Sequence, residues 1–303
     1  MSMLGFGQVA EQLRRSTVQV RSGRRGLGSG VIVKSDGVIA TNAHVVGPGA
    51  EPAGENGGAP AGDASRLSVE LWDGSSFPAR LEARNTRRDL ALLRIPAVSL
   101  APATLANSDT LRVGELVVAV GNPLGFVGAV TTGIVHAIGR RPGLGPTKWI
   151  QAAVQLAPGN SGGPLADARG NVVGLNTMVV GGLGLAVPSN TVARLLAGDL
   201  RQASLGVAVR PVAVRAGGAQ RLGLAVLDVM AGGAAEFASL KAGDILVGVA
   251  GRDLRSLDDL EEALEGTSQD ERERVLRVQF VRGDPNKVRS AAVRLHSAQV
   301  AMA

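Results

Sequence analysis

The sequence contains no cysteine and no tyrosine, and aromatic residues make up only 2% of its 303 residues. The absence of cysteine excludes disulfides, thiolate metal sites and cysteine nucleophiles together. It does not identify a compartment, since a protein without disulfides is stable in either redox environment. The scarcity of aromatic rings leaves valine, leucine, isoleucine and alanine to build the core, and the β-branched residues among them favour strands.

Basic residues outnumber acidic ones, giving a formal net charge of +6, but the excess is spread thinly. Adjacent basic residues come only in pairs, such as Arg24–Arg25 and Arg140–Arg141. Surfaces that bind nucleic acids usually combine dense positive charge with aromatic side chains that stack on bases. We therefore expect no nucleic-acid partner.

Long hydrophobic runs are also absent. No segment approaches the roughly 18 consecutive apolar residues that a membrane-spanning helix needs. The opening segment, MSMLGFGQVAEQLRRS, lacks the basic stretch followed by an apolar stretch that defines a signal peptide. We expect a soluble chain without a membrane span, which would be cytoplasmic if the sequence is complete as given.

From Thr17 onward, the sequence consists of short β-branched runs such as SGVIVK, LALLRI and ELVVAV. Hairpin signals such as Ser35–Gly37 separate them. About ten such strands without long helices between them indicate an all-β barrel or sandwich. The segment 47–64 predicts a long surface loop. We place this domain at residues 17–198, after an N-terminal arm, residues 1–16, that contains a short amphipathic helix.

The remaining part of the chain mixes strands with one clear helix. In SLDDLEEALEG, Ser256 suits the N-cap, Asp259 follows three residues later as in a capping box, and Gly266 ends the helix. This pattern predicts a small α+β domain at residues 203–297. Four apolar residues fall on one face of the helix: Leu257, Leu260, Ala263 and Leu264.

Three histidines limit the bases that could activate a serine nucleophile. Ser161 lies in GNSGG, which formally matches the G-x-S-x-G turn of α/β-hydrolases. That turn leads into a helix, whereas here Pro164 follows almost at once, and the only later histidine is His296 at the chain end. The match is accidental. His136 lies among apolar residues on a predicted strand, which favours a structural role.

The order His44, Asp89, Ser161 is more informative. Each residue alone has an ordinary interpretation: a histidine after a strand, a turn-forming aspartate and a loop serine. However, a carboxylate that opens the apolar run LALLRI needs a hydrogen-bonding partner, which an imidazole would supply. Three such residues at the ends of separate strand pairs can converge where two β-barrels meet, as in a nucleophile–base–carboxylate triad.

The segments TNAHVV, RDLALLRI and PGNSGGPL, together with GNPLG, TTGIVHAIGR and GLGLAVPSN, resemble the HtrA/Deg family of trypsin-like serine proteases. SLGVAVRPV and SLKAGDILVGVAGRDLRSLDDLEEAL resemble the PDZ domain of that family. The resemblance runs from about Thr17 to Leu295. It implies a mainly β fold, in which a chymotrypsin-like double β-barrel is followed by one C-terminal α+β PDZ domain. It also implies an ATP-independent serine endopeptidase that acts on unfolded or misfolded proteins.

Carried over by position, the resemblance makes His44 the general base, Asp89 its orienting carboxylate and Ser161 the nucleophile. The backbone N–H groups of Gly159 and Ser161 would form the oxyanion hole. Thr177 either holds Asp89 through its hydroxyl or is an ordinary strand-surface threonine. We expect no cofactor and no metal.

The run Ala153–Ala157, AVQLA, departs from the Asp-Ala-Ala-Ile-Asn type of run common in the family. By position, Gln155 would form the floor of the primary specificity pocket, with Leu156 beside it. Because no carboxylate is present there, we expect cleavage after small or medium aliphatic residues and not after lysine or arginine. The turn after VIVK is short and lacks the long insertion of cage-forming members, which leaves a homotrimer with contacts through the N-terminal segment as the family expectation.

The resemblance also predicts that a peptide adds as a strand to the PDZ domain. Its terminal carboxylate would meet N–H groups near Leu205, Gly206 and Val207. Leu260 and Leu264 either line the pocket for the last side chain or pack the domain core. The partners would be unfolded polypeptides or peptide C-termini.

Two rival functions remain open from the sequence. The chain could be a peptide-binding chaperone or adaptor whose protease domain is a scaffold, or a regulatory protease with one narrow target. The complete triad argues against the first, and substrate breadth separates the second from general quality control. The resemblance places the protein in the cell envelope, whereas the missing leader favours the cytoplasm.

Overall fold

The computed structural model describes residues 5–23, 26–47, 67–141, 144, 148–198, 205–216, 218–266, 275–284 and 286–295. The chain divides into two compact units, residues 1–200 and 201–303. Most of the predicted loop 47–64, and also His296, lie outside the described residues. The predicted domain boundaries at 198 and 203 stay a prediction, because residues 199–204 also lie outside the described residues.

The first unit opens with helix α1 (Phe6–Ser16), which contains the predicted amphipathic segment. Its apolar residues Val9 and Leu13 are buried in a core cluster that also includes residues of both sheets of the unit. Helix α1 therefore packs into the first unit.

The first sheet is antiparallel and has the strand order β5-β4-β1-β2-β3-β7-β6. Its strands are short and rich in valine, leucine and isoleucine, as the sequence predicts, and their apolar faces form one core cluster. They are β1 (Thr17–Ser22), β2 (Gly26–Lys34), β3 (Val38–Thr41), β4 (Leu67–Glu70), β5 (Ser76–Pro78), β6 (Arg80–Asn85) and β7 (Leu90–Arg94).

The second sheet closes into a barrel in the order β10-β13-β12-β11-β8-β9, and a separate apolar cluster fills it. Helix α2 (Ser189–Leu196) follows the last strand. The strands are β8 (Leu116–Gly121), β9 (Ala129–Arg140), β10 (Lys148–Ala152), β11 (Pro164–Asp167), β12 (Val172–Val180) and β13 (Leu183–Pro188).

The second unit is a sheet of order β14-β15-β16-β18-β19, with β17 paired to β16. Its strands are β14 (Val207–Ala216), β15 (Ala219–Val229), β16 (Ile245–Val249), β17 (Arg252–Asp253), β18 (Val275–Val281) and β19 (Val288–Arg294). Its helices are α3 (Ala234–Phe237) and α4 (Leu257–Gly266).

The predicted capping box of α4 is confirmed. The Ser256 N–H donates to Asp259 Oδ2 at 2.9 Å, and the Asp259 N–H donates to Ser256 Oγ at 3.3 Å. Leu260 and Leu264 lie in the core of this unit. The observed architecture, two sheets followed by a small α+β unit, agrees with the predicted mainly β fold. None of the helices among the described residues is long and apolar enough to cross a bilayer.

Candidate active site

His44 and Asp89 meet because the strands that carry them are neighbours. His44 lies in the turn after β3, Asp89 lies just before β7, and the two strands pair with Thr41 opposite Ala91. The Asp89 carboxylate lies 2.8 Å (Oδ2) and 3.0 Å (Oδ1) from His44 Nδ1, and it also accepts the His44 backbone N–H at 3.0 Å. Because the carboxylate holds both the ring and the backbone of His44, Nε2 is the ring nitrogen left to act as a base.

Asp89 is itself fixed from several directions. Its backbone has a φ of 52°, a left-handed conformation that aspartate tolerates better than most residues. Its carbonyl accepts a hydrogen bond from Asn42 Nδ2 at 2.8 Å. The Thr177 hydroxyl donates to Asp89 Oδ2. Of the two interpretations of Thr177, the structure supports the one in which it holds Asp89.

Ser161 lies in the loop between β10 and β11. Its hydroxyl donates to the Thr177 carbonyl at 2.8 Å. Within the part of the chain that the structure describes, it forms no hydrogen bond to the His44 ring. The structure therefore joins His44 to Asp89 and ties both Asp89 and Ser161 to Thr177, while the link from serine to histidine is not formed. Catalytic hydrogen bonds in ligand-free proteins are often long and form only when substrate binds.

The loop before Ser161 anchors two of its carbonyls and leaves two of its N–H groups without an acceptor among the described residues. The Pro158 carbonyl accepts the Leu124 N–H at 3.2 Å, and the Asn160 carbonyl accepts the Gly163 N–H at 3.0 Å. In a planar trans peptide the N–H points away from the carbonyl. The N–H groups of Gly159 and Ser161 therefore point away from these anchors, and neither has an acceptor among the described residues.

Glycine is required at two positions of this loop. Gly159 has a φ of +105°, and a Cβ there would lie 2.5 Å from the Asn122 carbonyl oxygen. Gly162 has a φ of +85°, and a Cβ there would overlap the Ser29 carbonyl oxygen and the Thr41 hydroxyl. The glycines of GNSGG are therefore imposed by close backbone contacts and do not mark a loose loop.

The two predicted pocket residues lie just before this loop. The Gln155 side chain is exposed, and Leu156 is half-buried. Leu156 Cδ1 lies against Gly184 in β13, 2.8 Å from the point where a Cβ would stand. The assignment of both residues to the specificity pocket stays a prediction.

In the second unit, the predicted peptide-binding residues lie in two places: at the start of β14 and in helix α4. The carbonyls of Leu205 and Gly206 accept hydrogen bonds from the N–H groups of Ala235 and Met230, both at 2.8 Å. Val207 is half-buried against the core, and Leu260 and Leu264 are buried within it, at 4% and 5% exposure. These two leucines therefore pack the core, and their role in a peptide pocket stays a prediction.

His136 lies on β9, as predicted, and its side chain is exposed. No group of three or more potential ligand residues among the described residues is arranged to hold a metal ion. The sequence did not single out Ser29, Asn42 and Asn122, three buried polar residues whose side chains bind the backbone around the site. Only their polar character within apolar surroundings could have drawn attention to them.

Comparison with known proteins agrees with this fold. The model of the trypsin-like peptidase domain matches residues 28–175, and the model of the PDZ domain matches residues 226–278. The periplasmic pH-dependent serine endoprotease DegQ of Escherichia coli K12 is 36% identical over 256 residues, covering 78% of this chain and 52% of the relative. A probable periplasmic DegP-like serine endoprotease of Chlamydia trachomatis serovar D is 34% identical over 254 residues, covering 78% and 48%.

The chain thus spans about half the length of the curated relatives it matches. The solved structure of an HtrA-type protease, AlgW with a decapeptide, superposes with a TM-score of 0.71 at 22% identity, covering 98% of this chain and 99% of that one, which shows the shared fold. The fold and the family models define a trypsin-like peptidase domain followed by a PDZ domain. The chain belongs to the HtrA family of such proteases.

Proposed function

We propose that the chain is an ATP-independent serine endopeptidase that cleaves unfolded or misfolded proteins, with His44, Asp89 and Ser161 as its triad. The observation that carries the proposal is the Asp89 carboxylate, which lies 2.8 Å from His44 Nδ1. A carboxylate in this position stabilises the imidazolium that forms when the base takes a proton. The names of the relatives, which describe serine endoproteases, support the same activity.

In the proposed mechanism, the Ser161 hydroxyl turns from the Thr177 carbonyl towards His44 Nε2 as substrate binds. His44 takes the hydroxyl proton while the serine oxygen attacks the scissile carbonyl. The N–H groups of Gly159 and Ser161 stabilise the resulting oxyanion. His44 then gives its proton to the leaving amine, and a water molecule, activated in the same way, releases the acyl group.

One observation favours the rival scaffold function: the Ser161 hydroxyl is bonded to Thr177 and not to His44. A chaperone or adaptor could keep this arrangement permanently, whereas a protease must leave it. The two functions differ in whether Ser161 ever becomes nucleophilic.

A fluorophosphonate probe, which reacts only with activated serines, separates them. We expect the native chain to be labelled at neutral pH in the presence of an unfolded substrate and Ser161→Ala to be unlabelled. Because serine is the nucleophile, Ser161→Ala should also lower the cleavage of denatured casein at least ~10⁴-fold. A native chain without Ser161-dependent labelling would support the scaffold function. Cleavage of casein at many sites would indicate general quality control, whereas a labelled chain that does not cleave casein would indicate a narrow regulatory protease.

We further propose that the specificity pocket accepts small or medium aliphatic side chains, with Gln155 at its floor. The packing of Leu156 against Gly184 supports a shallow pocket, because the leucine takes up the space that glycine leaves open. The amide of Gln155 supplies no negative charge to pair with lysine or arginine.

Profiling with a mixed peptide library tests this pocket. The native chain should cleave after valine, alanine and isoleucine, and Gln155→Asp should add cleavage after lysine or arginine, because the new carboxylate pairs with the cation. Gln155→Ala is the matched control and should not gain basic specificity. A native preference for arginine or lysine would overturn the assignment.

We propose a homotrimer in which apolar residues of α1 and of loop 122–128 form the contact. Loop 122–128 exposes Leu124, Phe126 and Val127, with Phe126 71% exposed, and α1 exposes Phe6. Arg14 of α1 lies against Gly128, so the helix and the loop adjoin each other. Exposed apolar side chains grouped in this way are typical of protein–protein contacts.

Light scattering after size exclusion should give three times the chain mass of 30.8 kDa. Phe126→Asp should shift the native chain towards the monomer, because the aspartate would bury a charge at the contact. Val98→Asp, which also replaces an exposed apolar residue but lies after β7, should stay trimeric. A monomeric native chain, or a trimeric Phe126→Asp variant, would refute this contact.

We also propose a location in the cell envelope, since the relatives compared above are named periplasmic. Fractionation of cells that produce the native protein tests it, and recovery in the cytoplasmic fraction would contradict it.

A further inference from the structure

Ser29 in β2 hydrogen-bonds to the backbone at the base of the candidate oxyanion hole, and it has no exposed surface. Its hydroxyl donates to the Gly159 carbonyl at 2.6 Å and accepts the Asn122 backbone N–H at 2.9 Å. Its own backbone N–H donates to the Ser161 carbonyl at 2.7 Å. Ser29 thus contacts the backbone on both sides of Asn160.

The direction of the Ser29 hydroxyl is determined by its neighbours. A serine hydroxyl has one proton to donate, and the Asn122 N–H occupies its acceptor side. The proton is therefore available for the Gly159 carbonyl. The Ser161 N–H belongs to the peptide unit between Asn160 and Ser161. Because peptide units are planar, the anchored carbonyls of Gly159 and Ser161 fix the units immediately before and after it.

Asn122 supports Ser29 from behind. It is 1% exposed, its Nδ2 donates to the Val18 carbonyl at 2.9 Å, and its Oδ1 accepts the Gly128 N–H at 2.9 Å. This side chain joins β1 of the first sheet to loop 122–128, whose Leu124 N–H holds the Pro158 carbonyl. The Ser29 hydroxyl is the point at which this network reaches Gly159.

We propose that Ser29 is a positioning residue for catalysis, which keeps the N–H groups of Gly159 and Ser161 directed at the oxyanion through its hydroxyl. The proposal rests on the proposed peptidase function. Gly159 has no side chain to restrict its backbone, so its conformation depends on backbone contacts, and the Ser29 hydroxyl supplies the one at its carbonyl.

The test replaces Ser29 by alanine in the full chain. We expect kcat to fall about 10–100-fold, below the 10²–10³-fold loss typical when an oxyanion donor is removed outright. KM for a peptide substrate should stay within about twofold, since substrate contacts are unchanged. A peptide boronate that mimics the tetrahedral intermediate should lose affinity by a similar factor. The pH at which the activity of Ser29→Ala is half-maximal should not move, because Ser29 does not contact His44.

Ser189→Ala is the matched control. Ser189 is equally buried, and its hydroxyl also donates to a backbone carbonyl, that of Ala106, at 2.6 Å. The Ser189→Ala variant should lose stability as Ser29→Ala does, but it should keep the native kcat. Ser29→Cys keeps a weak donor, so its kcat should lie between those of the native chain and Ser29→Ala. This variant replaces Ser29→Ala in the test if the alanine variant does not fold.

Two outcomes would overturn the role of Ser29: a kcat of Ser29→Ala within twofold of the native value, or an equal loss in Ser189→Ala. Absence of fluorophosphonate labelling in the native chain would instead refute the peptidase function, and the role of Ser29 with it.

A second, independent observation concerns Pro211 in β14. Among the described residues, β14 has only β15 as a neighbour, so its other side is a free edge. In β15, the Val226 N–H donates to the Asp244 carbonyl and the Val226 carbonyl accepts the Gly243 N–H, so the backbone of Val226 faces β16. Val226 lies directly opposite Val209 in β14.

In an antiparallel pair, the backbone N–H and C=O groups of two opposed residues either hydrogen-bond to each other or both point away from each other. The backbone groups of Val209 therefore face the free edge, and those of Pro211, two residues later, face it as well. Proline has no N–H. A peptide that adds to this edge meets a donor at Val209 and none at Pro211.

We infer that Pro211 weakens the ladder between β14 and a bound peptide by removing one of its donors, so that peptide residues beyond the last four add little affinity. This inference rests on the proposed binding of peptide C-termini at Leu205–Val207. Residues further from the terminus would lie beside Pro211 without a backbone donor.

A peptide length series on the full chain with the Ser161→Ala substitution, which prevents cleavage, tests it. The tightest binder from a pool of randomised acetylated tetrapeptides with free carboxylates is extended at its N-terminus by three alanines. Isothermal titration should give affinities within about twofold for the two lengths. In Pro211→Ala, the longer peptide should bind about 3–10-fold more tightly than the shorter one, the gain expected of one hydrogen bond, while the tetrapeptide affinity stays unchanged.

A native chain that gains affinity with length as the variant does would refute the role of Pro211. If no tetrapeptide binds the native chain, the binding of C-termini fails, and this inference with it.

Discussion

The protease unit depends on the backbone contact between β2 of the first sheet and the loop that carries Ser161 in the second. The Ser29 N–H donates to the Ser161 carbonyl at 2.7 Å, and Gly162 approaches β2 so closely that a Cβ on it would overlap the Ser29 carbonyl oxygen. A contact of this kind tolerates little displacement, because protein interiors are closely packed and transmit strain. Ser161, the proposed nucleophile, is therefore positioned by the junction between the sheets.

Thr177 completes this junction from the second sheet. Its hydroxyl reaches Asp89, which belongs to the first sheet with His44, and its carbonyl holds Ser161. One residue of β12 thus contacts two of the three triad candidates. In the proposed mechanism, these two bonds use different groups of Thr177, its carbonyl and its hydroxyl, so Ser161 can leave the first while Asp89 keeps the second.

The sequence was sufficient for those features that depend on local pattern. The order of His44, Asp89 and Ser161, the short strands and the capping box at Ser256 could all be read from neighbouring residues. Ser29 could not, because its hydroxyl bonds to a carbonyl 130 residues away, and a serine in the run SGVIV gives no sign of such a partner. The burial of Leu260 and Leu264 was left open for a related reason, since a helical stripe of leucines is the same whether it faces a core or a ligand.

The oxyanion hole and the carboxylate site proposed for the two units make a similar chemical demand. An oxyanion and a peptide carboxylate are both bound by backbone N–H groups. In the protease unit the carbonyls of Pro158 and Asn160 are anchored, and in the PDZ unit those of Leu205 and Gly206 are anchored. Because N–H and C=O oppose each other in a trans peptide, each anchored carbonyl directs the next N–H away from its anchor. In both proposed sites, anchoring the carbonyl is the step that directs the N–H of a Gly-containing loop towards a negatively charged oxygen, and the residues that provide the anchor contribute to the site together with those that carry the N–H.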